Sequence, residues 1–374
     1  MLPAQQSWVA FRAACALIAG AIITPDGIAQ RTQLAATPTC ASCRISLTRV
    51  ATLGGGDSGF VRSEPIWMAR DSRGRIYVTW QNYGHGPELV AVYDSSGRFL
   101  QELGRKGKGP GEFEYPVTIN VGRGDRIFIW DIDRRATLFD ADYRFVRQHI
   151  QSAGTLLVLA GDRQILGASA LDRDGRPAPI TVVDSIGNHV AAFGASNEPL
   201  PDAEAWRWNR VVGSAGSDAV WTFFPDRYRL ERWSLSGALT RVFVRTPAWF
   251  ARPTTARAII HRGEEPTPEP RAVREDSNGR LWYFASVAAR DWRAALGQAK
   301  TTPGRPTIFP NVNRSQSYDT VIDVIDVKTG TLLASQRVDA YLQFFLADGL
   351  IAGFREDRDG QPFIDIWRVQ LRTQ

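Results

Sequence analysis

One pattern recurs six times along the chain: a tight turn carrying Gly or Asp, then a run of β-branched and aromatic residues. It reads GRIYVTW (74–80), DRIFIW (125–130), DRQILG (162–167), DAVWTF (218–223), GRLWYF (279–284) and GLIAGF (349–354). A short apolar run such as IWMAR, VTINV or LQFFLA precedes each copy, so each pair reads as a hairpin. A second strand–turn–strand follows each of the first five, as in ITVVDSIGNHVAAFG, whose alternation has the period of half-buried strands. After the sixth hairpin only PFIDIWRVQ (362–370) remains. The chain therefore offers five units of four strands and one of three.

A sheet short of its last strand leaves an open edge, which proteins manage explicitly. The spare strand is at the other terminus. ISLTRVATLG (45–54) stands before the first unit and matches RFLQELG, the fourth strand of unit one. The glycine-rich loop LGGGDSGFVRSEP (53–65) likewise matches LGRKGKGPGEFEYP (103–116), so the first copy is the exit loop of the last unit, displaced to the start. The expectation is an all-β, six-bladed β-propeller over residues 45–374, its ring closed by the N-terminal strand joining the C-terminal blade.

Residues 1–29 read as a secretory signal peptide, with Arg12, a short apolar run over 13–23 and a small-x-small end at Gly27-Ile28-Ala29. The run is short for a span, which needs about 20 apolar residues. Whether the signal is cleaved is left open. The expected location is periplasmic or secreted, with no transmembrane segment in the mature chain. Residues 30–44 form a linker containing Cys40 and Cys43. Haem attachment would need His where Arg44 stands, and the four histidines are scattered too singly to complete a zinc site. In an oxidising compartment the pair reads as a small structural disulfide. Net charge is +6, but only four of the 45 basic residues are lysine, a bias that weakens the charge as evidence for an anionic partner. Nucleic acid is not expected.

The segment YPVTINVGRGDRIFIWDIDRRATLFDADYRFVRQHI resembles an NHL repeat, and GRKGKGPGEF resembles the glycine-rich linker between such repeats. The likeness is specific over 54–150 and loose beyond. It implies the fold of the secreted bacterial six-bladed propellers, a group of diverse functions, and fold alone confers no activity.

Strand parity sorts the loops. Those after strands one and three are uniformly short (DSRGR, SSG, GRGD, DADY, SIGN, LSG, SNG, KTG). Those after strands two and four are long: 81–88, 104–115, 168–179, 195–209, 246–270 and 285–317. Long loops on a rigid scaffold hold function more readily than tight turns. On that face Arg105, Lys106 and Lys108 lie in a glycine-rich loop whose N–H groups and cations could converge on an anion. Trp80, Tyr83 and His85 (WQNYGHG) offer stacking surface, as do Trp206 and Trp208. Asp131 and Arg134 (WDIDRR) sit where NHL-like repeats carry polar residues that interlock blades. The two longest loops contain short helical stretches that could cover the channel.

The expected function is an exported, non-catalytic binding module recognising a protein, peptide or glycan through the long-loop face; an anionic ligand is one option, and a solvated linker between blades is the other reading of the lysine loop. The alternative is a metal-dependent hydrolase or lyase, lactonase-like, with carboxylates such as Glu64, Glu112 or Asp131 at the central channel. No cofactor is expected; calcium has no supporting ligand spacing. No catalytic motif of the G-x-S-x-G or H-E-x-x-H kind occurs.

Overall fold

The computed structural model describes residues 29–55, 61–80, 89–150, 155–171, 175, 177–195, 210–250, 260–301, 307–309, 312–347 and 349–373. Tyr83, His85, Trp206, Trp208 and the signal-like segment 1–28 lie outside the described residues.

Six antiparallel sheets, each four strands at its core, form the six blades. Blade one comprises Pro65–Arg70, Ile76–Trp80, Val90–Tyr93 and Phe99–Leu103. Blade two begins with Pro116–Val121, blade three with Thr155–Ala160, blade four with Val211–Ser214 and blade five with Glu269–Glu275. Blade six holds Leu342–Ala347, Leu350–Glu356 and Pro362–Thr373, and its fourth strand is Cys43–Leu53 from the N-terminus. That strand runs antiparallel to Pro362–Thr373 from the pair Cys43 and Thr373 to the pair Leu53 and Ile364, so the ring is closed as the strand count required.

The second strand of a blade is sandwiched between neighbouring sheets, and it shows. Every residue of Ile76–Trp80, Ile127–Asp131 and Ala219–Phe223 is buried, whereas the outermost Phe145–Ile150 is largely exposed. Between blades four and five the filling is aromatic. Phe223 and Tyr283 meet edge-on at 4.5 Å and Tyr228 and Tyr283 at 4.9 Å, the geometry that aromatic quadrupoles favour.

The short turns share one device. In Asp71–Gly74, Asp94–Gly97, Asp184–Gly187 and Asp276–Gly279, and in Asp357–Gly360 on the long-loop face, the glycine N–H donates to the aspartate carbonyl. The aspartate Oδ1 also accepts the N–H of the residue after the glycine. Gly97 must be glycine twice over: its φ is 92°, and a Cβ there would lie 2.4 Å from the Thr52 carbonyl oxygen of the closing strand. Hydrogen bonds from Ser96 hold the Asp94 carboxyl below its usual range.

The segment expected as a linker is structured. Gln30–Gln33 adds a fifth strand to blade four, pairing in parallel with residues 241–244. Leu34 is buried in the core between blades four and five, and Thr39 N–H donates to the Leu332 carbonyl of blade five at 3.0 Å. The chain thus straps blades four and five before entering blade six. Cys40 and Cys43 stand at disulfide distance, with S–S 2.04 Å. The connection expected from residue 285 begins only after the strand Arg280–Ala288, and it contains a 3-10 helix, Trp292–Leu296, and one helical turn, Arg314–Ser317.

Candidate functional site at the channel and its long-loop mouth

The first strands of all six blades surround a cavity of about 470 Å³ on the ring axis, inside the size range of ligand pockets. Its walls are mostly apolar, with Trp67, Leu157, Leu159, Val212, Phe344 and Phe345 among them. Each first strand begins at the long-loop face and ends at the short-turn face, so position along the strand fixes position along the axis.

At the long-loop end, six side chains from four segments of the chain converge. Tyr341 Oη accepts from Arg271 Nη2 at 2.7 Å and from Arg314 Nη2 at 3.3 Å, and donates to Glu64 Oε1 at 2.9 Å. Gln343 Nε2 donates to the same oxygen at 2.7 Å. Glu269 pairs with Arg271 at 2.6 Å, and Arg314 stands 3.5 Å from Glu64 and 3.9 Å from Glu269. Burial pushes the Tyr341 hydroxyl up. Burial pulls the Arg271 guanidinium down, but the fields of Tyr341 and Glu269 outweigh it and leave the group above its ordinary value. Both arginines therefore stay cationic across any accessible pH.

Blade four adds a second basic group at this end. Arg210 lies 3.6 Å over the Phe224 ring, with Arg227 at 4.9 Å and Arg229 at 5.6 Å from the same ring. Burial pulls the Arg210 guanidinium down to about 10. Beside it, Arg245 and Tyr228 both reach the buried Asp323 carboxylate, Tyr228 at 2.7 Å, and Arg245 also donates to the Ala36 carbonyl at 2.9 Å. This triad anchors the N-terminal strap.

The residues singled out from sequence fall in different places. Trp80 is 1% exposed and packs in the core between blades six and one, so its ring offers no stacking face. Arg105 and Lys106 form a short parallel bridge with residues 112–113 and are exposed. The glycine loop's converging groups already hold an anion: Gly109 N–H donates to Glu112 Oε2 at 2.9 Å, and Arg105 stands 3.5 Å from Glu112 Oε1. Lys108 is 3.7 Å from Glu114. The Arg105 and Lys108 side chains are 79% and 73% exposed, so these pairs are each worth about 0–1 kcal/mol.

Asp131 is fully buried and accepts the N–H groups of Glu114, Tyr115 and Ile132 at 2.6–3.0 Å, and Arg135 at 3.0 Å. Arg135 in turn donates to the Gly107 carbonyl at 3.1 Å, tying the glycine loop to blade two. Arg134 is exposed with φ 68°, at the end of the turn that Asp131 organises. Sequence reasoning pointed to Glu64 but not to Glu269, Arg271, Arg314, Tyr341 or Gln343.

Among the described residues no group of three or more His, Cys, Asp or Glu is placed to hold a metal ion. The described channel walls carry no Asp or Glu; Glu64 and Glu269 stand at the rim, each paired with arginine.

A family model described as a 6-bladed beta-propeller matches residues 66–152, less than half of the chain. The chain is also similar to the crystal structure of a Bacteroides fragilis protein described as a "putative exported protein", at 12% identity and a TM-score of 0.56. That likeness covers 92% of this chain and 99% of the other. No curated protein matches. Together these support the six-bladed propeller, and the family matched is not the NHL family that the repeats resemble. No described helix is long and apolar enough to cross a membrane.

Proposed function

We propose that this chain is an exported binding module that recognises a protein, peptide or glycan through the long-loop face of the propeller. The observation that carries this reading is the convergence of Glu64, Glu269, Arg271, Arg314, Tyr341 and Gln343 at one mouth of the channel. Partly buried charged groups already held by hydrogen bonds lose little entropy on meeting a partner, which is what recognition of polar ligands needs. The exposed cations Arg105, Lys106, Lys108 and Arg134 lie on the same face and would steer an anionic ligand toward it. By contrast, the short turns satisfy their own polar groups. Export is supported by the signal-like segment 1–29 and by the similarity to a protein described as exported.

The test is a glycan and peptide array probed with three proteins: the unmodified chain, Arg314→Ala, and Arg73→Ala on the short-turn face. Ligands retained by Arg73→Ala and lost by Arg314→Ala support the reading. Ligands indifferent to Arg314 but lost with Arg73 overturn it.

A further inference from the structure

The two long insertions beside blade five meet in a core of their own. Ile260 of the first is buried with Trp292 and Leu296 of the second, and Phe309 and Val312 pack against them. None of these residues belongs to the clusters that fill the space between blades. Inside this unit the Asn313 N–H donates to the Ala295 carbonyl at 3.0 Å, and Lys300 and Ile308 exchange backbone hydrogen bonds at 2.7 and 3.0 Å. The chain ties the unit to blade four through the first insertion. It ties it to blade five at three neighbouring strand ends, Glu269, Ala288 and Tyr318.

Across the mouth the unit rests on blade six and on the chain entering blade one. Arg314 Nη2 donates to Tyr341 Oη at 3.3 Å, and the guanidinium stands 3.5 Å from Glu64. Ser315 Oγ accepts the Glu356 N–H at 3.1 Å. Back on blade five, Glu269 is 3.9 Å from Arg314. The bonds within the rim itself are all shorter. Arg271 holds Tyr341 at 2.7 Å and Glu269 at 2.6 Å, while Tyr341 and Gln343 hold Glu64 at 2.9 and 2.7 Å. Without Arg314 the rim still keeps both carboxylates hydrogen-bonded or paired, so its release strands no buried charge, the usual obstacle to opening such a contact. The Arg314 side chain is 36% exposed, so water reaches it when it lets go, and pairs so exposed are weak.

We infer that this unit is a cap that swings as one body on blade five and gates the long-loop mouth of the channel, with Arg314 as its latch. Arg271 and Gln343, which the latch adjoins through Tyr341 and Glu64, line the channel itself. Chain connections on one part of a rim and weak polar contacts on another are the arrangement of closing lids. The inference rests on the binding reading only for what the gate admits. The motion is tested without ligand, so either can fail alone.

Residue-resolved hydrogen exchange of the full chain, unmodified and as Arg314→Gln, tests the motion at low salt and at about 1 M, where charges are screened beyond about 3 Å. A swinging cap breaks the Glu356 amide bond and spares the bonds inside the cap. Arg314→Gln should speed exchange of the Glu356 amide by about tenfold. The amides of Asn313, Lys300 and Ile308 in the cap, and of Phe354 in blade six, should exchange as before. High salt should speed Glu356 in the unmodified chain and not in the variant. Four results overturn the inference. Glu356 exchanges alike in both proteins, or salt leaves it unmoved in the unmodified chain or speeds it equally in both. Alternatively, Asn313, Lys300 and Ile308 speed up with it, so that the cap melts rather than swings, or Phe354 does, so that blade six frays.

Discussion

Gly213 sits in the first strand of blade four, facing the first strand of blade five, and its replacement by alanine should damage the ring more than any other single methyl group. A Cβ built there falls 1.6 Å from the Val273 carbonyl oxygen, 2.6 Å from its carbonyl carbon and 2.8 Å from its Cγ1. An ordinary carbon–oxygen contact is about 3.3 Å or longer, so the two strands must separate by well over an ångström. The obstacle is backbone, and no rotamer change removes it. Val273 shares one core with Trp221 and Phe223 of blade four's second strand and Tyr283 of blade five's, and that core opens as the first strands separate. Overpacking usually costs about 1–3 kcal/mol and occasionally more; a clash with an immovable carbonyl belongs at the upper end, about 3 kcal/mol. At roughly 2–4 °C per kcal/mol for a large domain, the melting temperature should fall by about 6–12 °C in a circular-dichroism melt. Gly124→Ala, where nothing lies within 4 Å of the new Cβ, controls for the loss of a glycine and should cost about 1–2 kcal/mol from its positive φ alone. If Gly213→Ala melts no lower than Gly124→Ala, the inner strands are not in the contact described.

Three further outcomes are expected. Asp131→Asn replaces a buried acceptor of three N–H groups and a guanidinium, and should cost about 3 kcal/mol in urea unfolding, as breaking a buried pair does. Burial and the nearby Glu64 raise the Glu356 carboxyl, so its ionised form opposes folding once pH exceeds that raised value. Glu356→Gln should therefore raise the melting temperature at pH 7 to 8 and leave it unchanged below about pH 4, where both side chains are neutral; a gain at acid pH instead would reverse the sign. The Cys40–Cys43 bridge closes a separation of only three residues, so replacing both with Ser should cost less than the ~2–4 kcal/mol typical of disulfides, read as a small shift in melting temperature.

The ring was legible because its signals are local and repeated. Each Asp-x-x-Gly turn and each buried second strand announces itself within six residues, and the missing strand of blade six has a visible match at 45–54. The mouth was not legible, because Glu64 and Gln343 meet across 279 positions and nothing near either marks the other. A weaker signal was present: Glu269, Arg271 and Arg274 crowd one short strand where an inner strand should be apolar. Trp80 misled because an aromatic at a strand's end looks like part of the following loop, while the second strand of a blade is covered on both sides. Gln30–Gln33 misled in the opposite direction. Its residues are polar, and it joins blade four through backbone pairing to an open edge, which leaves no hydrophobic period to read.

Ring closure joins the fold to the proposed site, because Glu64 reaches Tyr341, Gln343 and Arg314 only if the chain that leads into blade one is fixed on blade six. Native-state hydrogen exchange of the amides in Cys43–Leu53 measures that directly. Closure predicts that the hydrogen-bonded amides of this strand exchange as slowly as those of Leu350–Glu356, through one cooperative opening of blade six. Exchange of the N-terminal strand at the rate of a frayed terminus, while Leu350–Glu356 stays protected, would contradict it.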